Sequence, residues 1–253
     1  MDECYGIIFD LDETLLRKDK SISSNTVEIL KQIHLDKNLF FASGRSVMRM
    51  KKYSDLISPD GIISLNGALN FYRGKLISSY FIEPDIIEKT VRYLRDKPNV
   101  NIALTYAERI LTNDPKICEI DPTYIFNDFK NYDSSNVLKI SLDLEDEKLL
   151  DPLNLDADKV KIIANSHTPG YFVIVNILAT KYRGLKDICE QLSMDVKKFI
   201  CFGDDYNDKE IMQQVGIGIA VENATSEIKQ IAYNVCASND QDGPAEWIKK
   251  NLL

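Results

Sequence analysis

Two aspartates one residue apart, Asp10 and Asp12, interrupt the apolar run YGIIFDLDETLL at residues 5–16. Carboxylates that close repel each other and need a cation or a shared proton. Further acids, Asp204, Asp205 and Asp208, follow a second apolar run in CFGDDYND at 201–208. Ligand sites in open α/β sheets lie at the carboxyl ends of strands. Two such strand ends side by side would supply oxygen ligands for a hard cation. Mg2+ suits that donor set, being octahedral and content with few carboxylates, waters and a phosphate oxygen. A third run ends in FFASGR at 40–45, where Ser43, the Gly44 N–H and the start of a helix form a small anion cradle. Lys181 opens a helix after the run at 171–178 and would bring positive charge to a phosphoryl group. Each feature also has an ordinary reading: an Asx-rich turn, a helix cap, a solvated lysine. Asn207 suits a cap for the helix that follows it.

The elements that must hold these residues alternate. Strands are predicted at 5–10, 38–43 and 60–68, with helices at 23–34 and 44–57 between them. After residue 180 the rhythm resumes, with helices at 181–194, 207–215 and 225–232, strands at 198–204, 217–223 and 233–237, and a last helix around Trp247. Alternation of this kind predicts an α/β fold with a doubly wound, mostly parallel sheet. The middle differs. It reads as helices at 84–96, 115–130 and 145–153, with strands at 100–113, 137–144, 159–166 and 171–177 and a hairpin-like turn at 165–170. Its strands alternate partly in and out, as an antiparallel sheet with one wet face does. The expected organisation is a core from 1–82 and 178–253 interrupted by an inserted α+β domain at 83–177.

Composition narrows the function classes. Of 253 residues, 44% are hydrophobic and 28% charged, which is globular composition. The formal net charge of -8 argues against nucleic acid or an anionic membrane as the main partner. A local cationic site can still take an anionic substrate. No stretch approaches the roughly 20 apolar residues of a membrane helix. The start MDECYG lacks a basic region leading into an apolar one, so no secretory signal is expected. The five cysteines are odd in number and scattered without a CxxC, as in a reduced, cytoplasmic protein.

The order of the motifs is more specific than any one of them. D-x-D-x-T, then Ser-Gly-Arg, a Lys after an insertion, and G-D-x-x-N-D resemble the haloacid dehalogenase-like hydrolase superfamily, and within it the Cof-type small-molecule phosphatases. SLNGA at 64–68, GIAVENA at 218–224 and DQDGPAEWI at 240–248 resemble further segments of that group. The resemblance covers roughly 5–80 and 181–250; the middle matches in position and length, as a large cap that selects the substrate. It implies that Asp10 is a nucleophile forming an aspartyl-phosphate, which divides one hard displacement into two easier ones. Asp12 is then the acid and base, and also gives its backbone carbonyl to Mg2+. Asp10 and Asp204 ligate the ion, with Asp205 or Asp208 beside it. The Leu11 N–H, Ser43, Gly44, Lys181 and Asn207 surround the phosphoryl oxygens. The implied substrate is a small phosphorylated metabolite, a sugar phosphate by family likeness.

Two departures stand out. Glu13 occupies a position where the family most often has Gly, and a side chain there would narrow the entrance or add an acid. The family's Lys-Gly-x-x-Leu reads Lys181-Tyr182-Arg183-Gly184-Leu185 here. Aligning on the Leu selects Lys181, and aligning on the Gly selects Arg183. Lys181 is preferred, because a compact ammonium suits the role better than a fork. Arg45 and Arg49 read as solvated or cap-facing, His34 and His167 as isolated, and the cap aromatics Tyr106, Tyr124 and Tyr171 as core. The alternatives to a phosphatase are a phosphosugar mutase of the same superfamily, a dehalogenase, and a module that merely accepts phosphate on Asp10.

Overall fold

Every residue of the strand Gly6–Phe9 is buried, as befits a strand paired on both edges and covered on both faces. It lies in an eight-stranded sheet of the computed structural model, which describes residues 4–164 and 168–253. From edge to edge the strands are Asn234–Cys236, Ile217–Val221, Phe199–Gly203, Gly6–Phe9, Asn38–Ala42, Gly61–Ser64, Leu69–Tyr72 and Lys75–Ser79. The first six pair in parallel, and Leu69–Tyr72 returns antiparallel on Gly61–Ser64. This is the doubly wound, mostly parallel sheet that the alternation predicts.

The last two strands are absent from the sequence reading. Their connection explains them. Arg73 and Gly74 both take positive φ, 47° and 76°. That is the two-residue hairpin geometry whose twist matches the flanking strands.

The chain divides into two compact units, Met1–Ser78 with Thr180–Leu253, and Ser79–Ala179. In the first, helices cover the sheet through apolar faces. Ser24–Ile33 buries Ile29, Leu30 and Ile33. It is capped by Ser23, whose Oγ accepts from Thr26 N at 3.0 Å. Each fully buried Leu, Ile or Phe of this core contributes about 1.5–3 kcal/mol of transfer free energy.

The second unit holds a six-stranded sheet in the order Val160–Ala164, Tyr171–Asn176, Lys139–Leu144, Val100–Thr105, Ile110–Thr112, Tyr124–Phe126. The helix Pro84–Leu94 lays Ile86, Ile87, Val91 and Leu94 into the same apolar cluster as Ile102, Leu104, Ile140, Leu142 and Ile174. The helix expected at 115–130 stops at Ile120, and Tyr124–Phe126 is a strand instead. Pro122 is the reason: it disfavours helical backbone at Asp121 and cannot donate the next helical hydrogen bond. The helix expected at 145–153 is a 3-10 segment, Glu147–Leu153, with Pro152 inside it. Residues 165–167 of the expected hairpin turn, His167 among them, lie outside the described residues.

Candidate active site

The strands Gly6–Phe9 and Phe199–Gly203 are parallel neighbours with Phe9 opposite Phe202, and their two rings stack at 5.4 Å. From this pair the sheet grows outward in opposite directions, through Asn38–Ala42 on one side and Ile217–Val221 on the other. It is the topological switch point, where open α/β sheets leave a crevice at the strand ends. Asp10 N donates to Phe202 O at 3.0 Å, so Asp10 and Asp204 leave the same edge together.

Three buried acids converge there. Carboxylate oxygens of Asp10, Asp204 and Asp208 lie within 4.8 Å of one another. Lys181 Nζ donates to Asp10 Oδ1 at 2.5 Å and to Asp208 Oδ1 at 2.7 Å. Thr14 Oγ1 donates to Asp204 Oδ1 at 2.8 Å. Asp208 Oδ2 accepts from Asp204 N at 3.1 Å and from Asp205 N at 3.5 Å. Burial first, then the charge of Asp208, pushes Asp204 up to about 7. Burial, with Asp208 and Asp204 adding to it, pushes Asp10 well above the usual carboxylate range despite Lys181. Lys181 is held above its ordinary value by Asp10 and Asp208 against the cost of its own burial. One lysine cannot offset three carboxylates at once, and the raised Asp10 and Asp204 reflect that shortfall. The donor set is therefore hard, anionic and short of positive charge, which fits a divalent cation bound by oxygen.

Glycines make this approach possible. A Cβ on Gly203 would stand 2.6 Å from Asp208 Cβ and Cγ, so only glycine lets Asp208 fold back under the strand end. Lys181 is the first residue of the helix Lys181–Leu192, whose cap Thr180 accepts from Arg183 N at 3.0 Å. Gly67, at φ +95°, lets the preceding turn touch that cap, since a Cβ would lie 2.0 Å from Thr180 O. A Cβ on Gly184 would meet Asn70 Oδ1 at 2.4 Å. The glycine of the departed motif is thus a packing residue. Arg183 pairs with Asp187, Nε to Oδ1 at 2.8 Å, so the structure puts Lys181 and not Arg183 on the acids.

Asp12 is placed differently from its neighbours. Arg45 grips it with two bonds, Nε to Oδ2 and Nη2 to Oδ1, both 2.7 Å. Lys20 Nζ lies 3.2 Å from Asp12 Oδ1. Burial would raise Asp12, but the bonds and charge of Arg45, then Lys20, hold it below its ordinary value. The reading of Arg45 as solvated or cap-facing is corrected by this pair. The Tyr53 ring, 5.5 Å from the Arg45 guanidinium carbon, supports the arginine from below. Lys20 carried no motif. Glu13 sits at φ 61°, a backbone conformation that glycine takes without strain. Its carboxylate accepts from Lys20 Nζ at 2.8 Å.

The residues expected to form the anion cradle are tied together by Asn66, from the SLNGA turn. Asn66 N donates to Ser43 O at 2.9 Å, and Asn66 Oδ1 accepts from Asn207 Nδ2 at 3.0 Å. A Cβ on Gly44 would lie 3.4 Å from that same oxygen. Ser43 is buried and its Oγ accepts from Arg45 N at 3.2 Å. Asn66 takes φ 56°, and the Asn-Gly pair in SLNGA was the signal for it. Leu11 is buried, and its carbonyl accepts from Leu16 N at 2.8 Å, closing the loop after Asp10. Asp205 and Asp208 are the two acids that the resemblance puts beside the ion; Asp208 lies within the buried cluster with Asp10 and Asp204.

Comparison with known proteins points one way. A family model described as haloacid dehalogenase-like hydrolase matches residues 7–248. The chain is 26% identical over 254 residues to "Putative phosphatase YkrA" of Bacillus subtilis, covering 96% of each. It is 24% identical over 268 residues to the 5-amino-6-(5-phospho-D-ribitylamino)uracil phosphatase YitU of Bacillus subtilis, covering 97% of each. Its fold is similar to the solved structure of the HAD subclass IIB sugar phosphatase BT4131, with a TM-score of 0.82 at 21% identity over 97% of this chain and 98% of that one.

Proposed function

This chain belongs to the haloacid dehalogenase-like hydrolases and is a phosphatase, and from that premise we propose a Mg2+-dependent enzyme that hydrolyses a small phosphorylated metabolite, a sugar phosphate by likeness. The observation that carries the reading is the buried trio Asp10, Asp204 and Asp208 with Lys181 at the switch point. Asp10 and Asp204, with the Asp12 carbonyl, are the residues assigned to hold Mg2+, and Asp208 stands beside them. When bound, the ion supplies charge neutralisation for the phosphoryl oxygens.

The chain's own residues account for the rest. Lys181 orients Asp10 by its bond to Oδ1. The Asp10 carboxylate attacks phosphorus, and the bond from phosphorus to the leaving oxygen breaks. Asp12, protonated once its carboxyl turns away from Arg45 and Lys20, gives that oxygen its proton, then takes one from the water that attacks the aspartyl-phosphate. Inorganic phosphate leaves and Asp10 is regenerated. The Leu11 N–H, Ser43, Gly44 and Asn207 are assigned to the phosphoryl oxygens. Substrate choice is assigned to the inserted residues 83–177. A cytoplasmic location is part of the proposal, supported by five free cysteines. Among the described residues, no helix is long and apolar enough to cross a membrane.

The test is phosphate release from p-nitrophenyl phosphate and a panel of phosphorylated metabolites, with and without Mg2+. Turnover should require Mg2+ and vanish in folded Asp10→Asn. A folded wild-type protein no more active than that variant overturns the reading. Isomerised sugar phosphate without free phosphate would point to the mutase instead.

A further inference from the structure

We propose that Glu13 is a positioning residue for Asp12, acting by drawing Lys20 away from it; the inference rests on the reading of Asp12 as the proton carrier. Both Asp12 oxygens are occupied, Oδ2 by Arg45 Nε and Oδ1 by Arg45 Nη2 and Lys20. A carboxylate held this way turns toward a leaving oxygen only by releasing a cation. Lys20 Nζ is 2.8 Å from Glu13 Oε1 and 3.2 Å from Asp12 Oδ1. Two acids therefore compete for one ammonium, and Glu13 has the shorter contact.

The arrangement is built from several elements. The Glu13 carbonyl accepts from Asn223 Nδ2 at 2.7 Å. The Lys20 carbonyl accepts from the Tyr53 hydroxyl at 3.0 Å, and the same tyrosine lies under Arg45. Glu13 and Lys20 both hold φ 61°, which non-glycine residues keep only where their surroundings fix them. The backbone at both ends is thus pinned, and the Lys20 ammonium is left to divide between the acids. With Glu13 present, Asp12 has only Arg45 to hold it firmly. Without the Glu13 charge, Lys20 turns wholly to Asp12 and locks it.

The test uses Glu13→Gln, Lys20→Gln and the double variant, with kcat/KM measured on p-nitrophenyl phosphate and on phenyl phosphate. This ratio reports the steps through cleavage of the leaving group, and phenoxide needs the acid more than nitrophenoxide does. For Glu13→Gln we expect a loss of about tenfold on phenyl phosphate, a part of the usual acid–base contribution, and less than about twofold on p-nitrophenyl phosphate. In the Lys20→Gln background the same change should have no effect. Glu13→Gly, which suits the backbone, should behave as Glu13→Gln and guards against a folding defect. Equal losses on both substrates, or an undiminished effect without Lys20, overturns the inference. Asp12→Asn separates the two levels. If it is insensitive to the leaving group, the acid–base reading falls and the inference with it. If it is sensitive while Glu13→Gln is not, only the inference falls.

Discussion

Replacing Lys181 by methionine keeps the length of the side chain and removes its charge from among three buried acids. The lysine side chain is 0% exposed, 2.5 Å from Asp10 Oδ1 and 2.7 Å from Asp208 Oδ1. At an effective dielectric constant of about 20, each contact is a gross attraction of about 6 kcal/mol. Desolvation of the ammonium offsets several kcal/mol of that. Removing one partner leaves the others buried and uncompensated, which costs about 3–5 kcal/mol. We expect Lys181→Met to lose that much unfolding free energy at pH 8 in EDTA, read by urea denaturation and circular dichroism. The loss has a pH dependence of definite sign. Asp204 titrates at about 7 in the folded chain against an ordinary 3.8, and Asp10 is raised in the same direction. Between those values these two acids bind more protons in the folded state than in the unfolded one, so their contribution to metal-free stability rises as pH falls from about 7 toward 4. Lys181 lowers both acids, so its removal raises them further and steepens that rise. The deficit against wild type should therefore shrink toward pH 5, and Mg2+ at pH 8 should recover part of it. A variant as stable as wild type at pH 8, or a deficit that grows toward pH 5, refutes the reasoning.

Other expectations follow from single contacts. Asp12→Ala should slow turnover by at least about 100-fold in protein that is still folded by circular dichroism, and near-normal activity removes its assigned role. Gly203→Ala would put a Cβ 2.6 Å from the Asp208 side chain, and thermal melts should show a loss of about 1–3 kcal/mol. Thr14→Val keeps the shape but strips Asp204 of its 2.8 Å hydrogen bond. The usual cost is about 1–3 kcal/mol, and calorimetric titration should show weaker Mg2+ binding; wild-type stability and affinity would contradict the role given to Thr14.

Sequence alone determined the parts of this protein that are local in the chain. Apolar runs ending in Asp10, Ser43 and Asp204 read as buried strands, and the alternation with helical stretches read as a parallel sheet. The positions of the acids follow, because a strand end is a local feature. The Arg73-Gly74 hairpin and the break at Pro122 are local too, and both are legible in turn chemistry. What only the tertiary structure decided are pairings between distant residues. Arg45 grips an aspartate 33 positions away, and Lys181 reaches one 171 positions away. Spacing allowed Lys181 or Arg183, with the compact ammonium preferred, and the fold sets Lys181 against Asp10 and Asp208 and Arg183 against Asp187. Glu13 shows the division most clearly. The sequence marked it as the residue standing where glycine is usual, with a side chain that would narrow the entrance or add an acid. The fold turned that side chain to Lys20, because a positive φ and the Asn223 bond fix its backbone. Periodicity along a chain cannot encode such contacts, since they depend on which surfaces meet once the sheet has closed.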